Sequence, residues 1–255
     1  MKRLYVVLMV LLSFQQLSGQ ALLGEPDFKT GDMVSTTHPK KITYSANGVF
    51  SATVDSFDQL GKIVERRQYF SAGSGWRTVN EYDKEGRLVK GNVYQIGNKE
   101  LYKRFEYTYT TNSATVKEYN IEDSPQPELV GTATATFDKQ HLLKQCTEMF
   151  YSDKRKYTTQ YVYDESGRLK REERNYVDKA DGTRKAPTTL YTYNNEGRII
   201  EELYPGDEDE LLTFSYTYIY MGNDKKGNWL KREQYETLMN TKRGPRIMER
   251  QIEYY

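Results

Sequence analysis

One phrase recurs along this chain: Tyr-Asp-x-x-Gly-Arg-Leu. It stands as Tyr82–Leu88 and Tyr163–Leu169, and as Tyr-Asn-Asn-Glu-Gly-Arg-Ile over Tyr193–Ile199. Looser copies lie at Phe57–Ile63, Phe137–Leu143 and Asp224–Trp229. The marker position falls at Asp58, Asp83, Asp138, Asp164, Asn194 and Asp224, with gaps of 25, 55, 26, 30 and 30 residues. The long gap is close to two periods, and Tyr107–Ser113 supplies a worn copy inside it. Such a period marks a repeat array in which each unit buries its face only against its neighbours.

Each copy reads as a β-hairpin. Aromatics stand at i and i+2 on the first arm, as in Phe105/Tyr107/Tyr109, Tyr161/Tyr163, Tyr191/Tyr193 and Tyr216/Tyr218/Tyr220, so they share one strand face. Asp then opens a turn whose N–H groups its carboxylate can cap. Gly at the fourth position can take φ > 0 and close a type I turn with a bulge. The second arm opens with Arg-Leu and runs through charged residues to Tyr94, Tyr176, Tyr204 or Tyr235. The predicted fold is all-β: consecutive antiparallel β-hairpins forming one long twisted or curled sheet of about seven repeats. Such a sheet has an edge at each end, and the leader and Met248–Tyr255 are the segments available to cover them.

Residues 1–21 read as a secretory signal. Lys2 and Arg3 precede an apolar run, Leu4–Phe14, broken only by Ser13, and Gly19-Gln20-Ala21 is a small-x-small cleavage site. Residues 22–40 form a polar leader and residues 41–255 the repeat domain. No stretch after the signal approaches ~20 apolar residues. The expectation is a secreted or periplasmic protein with no membrane span after signal removal. Cys146 is the single cysteine, so no disulfide forms within the chain, and it is expected as a small buried filler.

Composition excludes several function classes. The 37 Lys and Arg nearly balance the 36 Asp and Glu, so nothing calls for nucleic acid. Mean hydropathy is low at −0.84, yet the 23 tyrosines recur periodically, which argues for a folded sheet rather than disorder. Tyrosine here takes the place of much of the usual Leu and Val. Two histidines, His38 and His141, and one cysteine cannot assemble the usual zinc sites. Gly-rich phosphate cradles and Gly-x-Ser-x-Gly elbows are absent. No metal, no cofactor and no catalytic residues are therefore expected. Asp207-Glu208-Asp209-Glu210 is the densest acidic run and reads as a solvated hairpin tip, lacking the spaced ligands of a calcium loop. Trp229 follows a turn and is expected in the core. Trp76 follows the Gly-rich stretch Ala72–Gly75 and is the candidate ligand contact, an aromatic face on which a sugar could stack.

Tyr-Asp-x-x-Gly-Arg-Leu followed by an aromatic resembles the YD-repeat, or RHS-repeat, family over most of the chain from Ile42 onward. Gly227-Asn228-Trp229 resembles a variant of the same turn. The resemblance implies long twisted sheets of successive hairpins and a link to carbohydrate binding. In larger family members it implies a shell around a toxic C-terminal domain. This chain is expected as a short, toxin-less, secreted member. The function expected is a non-catalytic binding or scaffolding module presenting a Tyr-rich sheet face to a glycan or to a cell-surface or secreted protein. The alternatives are a secreted glycan-active enzyme using paired carboxylates and an outer-membrane β-barrel. Charges on both parities of Arg168–Tyr176 speak against the barrel's lipid contact.

Overall fold

The structure is a computed structural model that describes residues 39–46, 52–71, 73–97, 100–121, 126–139, 142–152, 156–178, 182–185, 188–205 and 213–255. The signal peptide, the leader up to residue 38, His38, His141 and the Asp207–Glu210 cluster lie outside the described residues.

Among the described residues the chain is all strand and turn. The strands are β1 (Pro39–Ala46), β2 (Ala52–Phe57), β3 (Ile63–Ser71), β4 (Ser74–Tyr82), β5 (Leu88–Gln95), β6 (Leu101–Tyr109), β7 (Ser113–Asn120), β8 (Glu128–Phe137) and β9 (Leu143–Phe150). They continue as β10 (Lys156–Tyr163), β11 (Leu169–Asp178), β12 (Gly182–Lys185), β13 (Thr189–Tyr193), β14 (Ile199–Tyr204), β15 (Phe214–Asn223), β16 (Trp229–Leu238) and β17 (Thr241–Tyr254). Each pairs antiparallel with its sequence neighbours, except that β12 and β13 both pair with β11. β12 pairs with Asn175–Asp178 and β13 with Arg171–Glu172 of the same strand β11, so β12 and β13 occupy one strand position.

The last strand then pairs with the first, from Ala46 opposite Met248 to Pro39 opposite Tyr254. The described strands therefore close into a barrel of sixteen strand positions, 17 strands with two sharing one place. This corrects the expectation of one long twisted or curled sheet. The physical reason is the edge: an open sheet exposes a row of unpaired N–H and C=O groups at each end, and β1 with β17 satisfies both rows at once.

Seven hairpin turns lie on one rim, at the positions read from the repeat. In the copy at Tyr82, the Asp83 N–H donates to the Arg87 carbonyl at 2.9 Å and the Gly86 N–H to the Asp83 carbonyl at 2.9 Å. The Asp83 carboxylate accepts the Arg87 N–H at 2.8 Å. Asp58, Asp164, Asn194 and Asp224 repeat this cap. Gly86 and Gly167 sit at φ +80° and +78°, where a Cβ would be strained.

The rest of the phrase joins one unit to the next. The Tyr193 hydroxyl donates to the Leu169 carbonyl of the preceding unit at 2.6 Å. The Arg168 guanidinium lies over the Tyr193 ring, 5.1 Å from its centroid. The same latch joins Tyr109 to Leu88 and Arg87, and Tyr220 to Ile199 and Arg198. Tyr82 bonds the Ile63 carbonyl under Lys62. Tyr163 bonds the Leu143 carbonyl. Tyr254 bonds Asp224 and accepts from the Asn228 amide, with Lys226 above its ring. Tyr255 completes the circuit by donating to the Phe57 carbonyl of the first unit.

Register assigns every strand residue to one of two walls. Ile42, Phe57, Ile63, Leu88, Val93, Phe105, Tyr107, Val116, Ala135, Leu143, Leu169, Tyr191, Ile199 and Tyr218 are buried and fall on one face. In a closed barrel that face is the inner one. Cys146 belongs to it, between Ala135 and Thr159, and burial pushes its thiol well above the ordinary range. Trp229 is buried as expected, with the Arg250 guanidinium 4.1 Å from its ring centroid. The outer wall carries ion pairs on several strands, while the outward residues of β2, β13 and β15 are uncharged. Arg77 and Arg67 both pair with Glu65, Lys90 with Glu81, Arg171 with Glu173, Lys231 with Glu249 and Lys41 with Glu253. The Tyr-rich face is enclosed rather than presented, which corrects the expected outward display.

The latch predicts a specific mutational signature. Tyr193→Phe should cost ~0.5–1.5 kcal/mol through the lost hydroxyl bond, and Arg168→Ala a further ~0.5–1 kcal/mol. Tyr235→Phe, whose hydroxyl reaches Glu233 on the outer wall, should cost close to nothing. Urea midpoints of the three variants check this, and equal midpoints for Tyr193→Phe and Tyr235→Phe would refute the latch.

Candidate functional site

The inner wall holds two polar rows among its aromatics. The first crosses β6 to β11. Lys103 Nζ donates to Glu118 Oε1 at 2.8 Å. Glu118 stands opposite Gly131, and on the far side of β8 Glu148 stands opposite Ala133. Arg174 donates to Glu148 Oε2 at 3.2 Å and lies over the Tyr157 ring. The order is cation, carboxylate, small residue, carboxylate, cation.

Both carboxylates are deeply buried, at 5% and 3% exposure. Burial raises Glu118, with Lys103 pulling it back. Burial also pushes Glu148 up to about 7, against the pull of Arg174 and with a further push from Glu118. Glu148 Oε1 has no hydrogen-bond partner. Between the two acids a niche opens over Gly131, lined by Val116, Ala133 and Phe150, with about 10 Å³ of room. That fits one water-sized group and not a sugar ring.

The second row crosses β13 to β16, where Tyr191, Glu202, Tyr216 and Glu236 stand opposite one another in turn. Glu202 accepts from the Tyr204 hydroxyl at 3.0 Å and the Tyr218 hydroxyl at 3.1 Å. Beside it Tyr204, Phe214 and Tyr216 form a half-buried cluster, with ring centroids 4.6–6.3 Å apart. This cluster lies at the rim away from the Asp-x-x-Gly turns.

Trp76, the residue read from sequence as a ligand contact, is half-buried on the inner wall near that same rim. Its ring stacks on Tyr102 at 4.5 Å and meets Phe70 edge-on at 6.4 Å. Sequence reasoning missed Glu118 and Glu148. A parity signal was there: Ala114-x-Val116-x-Glu118 and Cys146-x-Glu148 put each acid on the apolar side of its strand. No group of three or more His, Cys, Asp or Glu suited to a metal occurs among the described residues. No helix of the described residues is long and apolar enough to cross a membrane, which says nothing of strands.

No protein-family model matches the chain, and no curated protein matches it. Solved structures give distant likenesses. A porin-like protein from Bacteroides uniformis is 12% identical, covering 87% of this chain and 100% of its own, at a TM-score of 0.41. A porin-like protein from Bacteroides vulgatus is 14% identical, covering 86% and 99%, also at 0.41. The Photorhabdus luminescens Tc holotoxin pore is 14% identical over 74% of this chain and 12% of its own, at 0.31. At these values the likeness says nothing of what this chain binds or does.

Glu148 makes stability depend on pH in a predictable direction. Its folded value lies above the ~4.3 of an unfolded glutamate. Between those values the unfolded chain has released a proton that the folded chain keeps. Stability should therefore fall as pH rises from about 4.3 to 7, by up to ~1.4 kcal/mol per unit, and level off above. Glu148→Gln should flatten that slope. Unfolding free energies across pH 4.5–8 for both proteins check it, and parallel curves would contradict the assignment.

Proposed function

We propose that the chain is an exported, non-catalytic barrel that works in water as a binding or scaffolding module. Its ligand surface is the aromatic and acidic inner wall at the rim bearing Tyr204, Phe214, Tyr216 and Trp76. The observation that carries this is the outer wall, where ion pairs such as Arg77 with Glu65, Arg171 with Glu173 and Lys231 with Glu249 stand within strands, while rings and carboxylates share the inner wall. Half-buried rings beside carboxylates suit a glycan, with ring faces for stacking and carboxylate oxygens for sugar hydroxyls. On this reading the chain is also a short relative of YD-repeat sheets, closed on itself, and the latch supports that kinship because it uses the Tyr, Gly-Arg and Leu positions together.

The outer-membrane reading is favoured by closure itself. An even ring of antiparallel strands with tight turns on one rim is the geometry of a transmembrane barrel. The outer wall weighs against it. Arg67, Arg77, Arg104, Lys117 and Arg171 all point outward from within strands. A lipid-facing Arg or Lys costs ~2–4 kcal/mol at the bilayer midplane and less near its surfaces. Five of them sum to roughly 10 kcal/mol, as much as the whole stability of an ordinary domain.

Two measurements test the proposal. Residues 22–255, refolded without detergent and floated with liposomes on a density gradient, should stay at the bottom. Co-flotation resistant to alkaline carbonate would instead establish the membrane barrel. On a glycan array the same protein should bind a discrete set of glycans, and Tyr216→Ala should lose at least tenfold in affinity. A blank array would remove the glycan reading.

A further inference from the structure

We propose that Arg67 and Arg77 form an anion site on the outer wall, built for one tetrahedral oxyanion, a phosphate or sulfate group. The two arginines stand directly opposite each other on β3 and β4. Residues so opposed have Cβ atoms ~4.5–5.5 Å apart, and like charges there repel. One carboxylate lies between them. Arg67 Nε meets Glu65 Oε1 at 2.7 Å, and Arg77 Nε meets Glu65 Oε2 at 2.7 Å. A carboxylate can hold one guanidinium through both oxygens. Here the two oxygens are divided between two guanidiniums, which positions both and leaves one positive charge uncancelled. Each arginine spends its Nε on Glu65 and has two terminal amino groups besides. Arg67 also bonds the Tyr69 side chain. Among the described residues no side chain bonds the terminal amino groups of Arg77, whose one hydrogen bond runs from Nε to Glu65.

The surroundings supply no second acid. The ladder neighbours of the pair are Val54 beside Arg67 and Tyr94 beside Arg77. Two residues along each strand stand Glu65 and Tyr69, and Gly75 and Val79. Glu65 is the one carboxylate among these neighbours. Other outer pairs, Arg171 with Glu173, Lys231 with Glu249 and Lys41 with Glu253, are one cation to one acid. The Arg77 guanidinium lies 5.7 Å from the Tyr94 ring centroid, which braces it from the side. The arginine side chains are 47% and 43% exposed and the Glu65 side chain 18%. The carboxylate is thus the sheltered member and the guanidiniums are the ones that meet solvent. Guanidinium forks match phosphate and sulfate oxygens two at a time, so an oxyanion docked from outside would cancel the surplus charge. This site is on the outer wall, apart from the rim rings, and stands independently of the glycan reading.

The test is a titration of residues 22–255 with sodium sulfate, sodium phosphate and dextran sulfate at constant ionic strength, read from the arginine Nε–Hε NMR signals. The Arg67 and Arg77 signals should shift in sulfate and in phosphate and stay still in chloride. Arg67→Gln, read at Arg77, and Arg77→Gln, read at Arg67, should each weaken binding by ~10-fold or more, the loss of one charge-assisted hydrogen bond. Arg77→Lys keeps the charge, loses the fork and should also weaken binding. Lys231→Gln removes the same charge elsewhere on the outer wall and should change affinity by less than ~2-fold, as a screened exposed charge does. Tighter binding of dextran sulfate than of sulfate, with unsubstituted dextran inert, assigns the site to a group carried on a polysaccharide. Equal affinity per sulfate assigns it to the free ion. Unmoved arginine signals in sulfate, phosphate and dextran sulfate, or a loss with Lys231→Gln as large as with Arg77→Gln, would overturn the site.

Discussion

One hydrogen bond, made at five of the seven turns, ties each of those units to its neighbour. The tyrosine that ends one first arm donates its hydroxyl to the backbone carbonyl that follows the previous Gly-Arg or Gly-Lys turn. A phenol is suited to this because its ring fills the inner wall while its hydroxyl reaches the strand end. The basic residue of the earlier turn caps the exposed ring face. Each bond is modest, but it couples neighbours, so the spacing between hairpins at the turn rim is fixed by side chains as well as by the ladder. The turn aspartates are held in their ionised form by the same design. Arg168 N–H and its guanidinium hold Asp164 below the usual carboxylate range, against a burial that pulls the other way. Burial alone would raise Asp224. Bonds from the Tyr254 hydroxyl, the Asn228 N–H and amide, and the Lys226 N–H outweigh it and hold that carboxyl at about 2.

The latch reinforces the closure made by the β1–β17 ladder. Tyr254 and Tyr255 stand at the end of β17 and serve two different turns. Tyr254 takes the place of the next unit's tyrosine at Asp224, and Tyr255 reaches the Phe57 carbonyl beside β1. The ring closes where the first and last units meet as though they were sequence neighbours. Once closed, the sheet has an inside, and alternation sends every second side chain there. Tyrosines that an open sheet would display are turned inward, and the outer wall mixes Lys, Arg, Glu and Thr with aliphatic residues such as Val54, Leu190, Leu203 and Ile219.

Local chemistry was the legible part of this chain. Asp at the turn, Gly at φ > 0 and aromatics at i and i+2 act over a few residues, so each could be read from its own segment. The turn at 110–112 was placed correctly from spacing alone, although it lacks Asp and Gly. Closure was not legible, because it depends on β1 meeting β17 across nearly the whole chain, and nothing local to either strand records that partner. The direction of the tyrosine face depended on closure and went with it. Charges on both parities in Arg168–Tyr176 were read as speaking against lipid contact; the structure puts Arg171, paired to Glu173, on the outer wall. Inner Arg174 and Glu172 on the same strand are charges of another kind, enclosed with the rings. The acids of the inner wall went unseen because no spacing rule marks a glutamate as buried. Only its parity relative to Ala114, Val116 or Cys146 does so.

The worn copy near residue 110 explains where the polar niche lies. That turn carries no Arg-Leu, and the aromatic of the following unit is Phe137, which has no hydroxyl to give. Both halves of the latch are missing at the same junction. What joins β7 to β8 there is the backbone ladder and close packing of small inner residues, Ala114 on Ala135 and Val116 on Ala133. Gly131 and Ala133 fit that close approach, and a Cβ on Gly131 would crowd the Met149 carbonyl. Small residues also leave space above them, and in that space Glu118 and Glu148 face each other with one oxygen unsatisfied. The junction that lost its tyrosine latch is therefore packed by small residues, and the two acids that border the space they leave are each held by a cation from the neighbouring strand, Lys103 on Glu118 and Arg174 on Glu148.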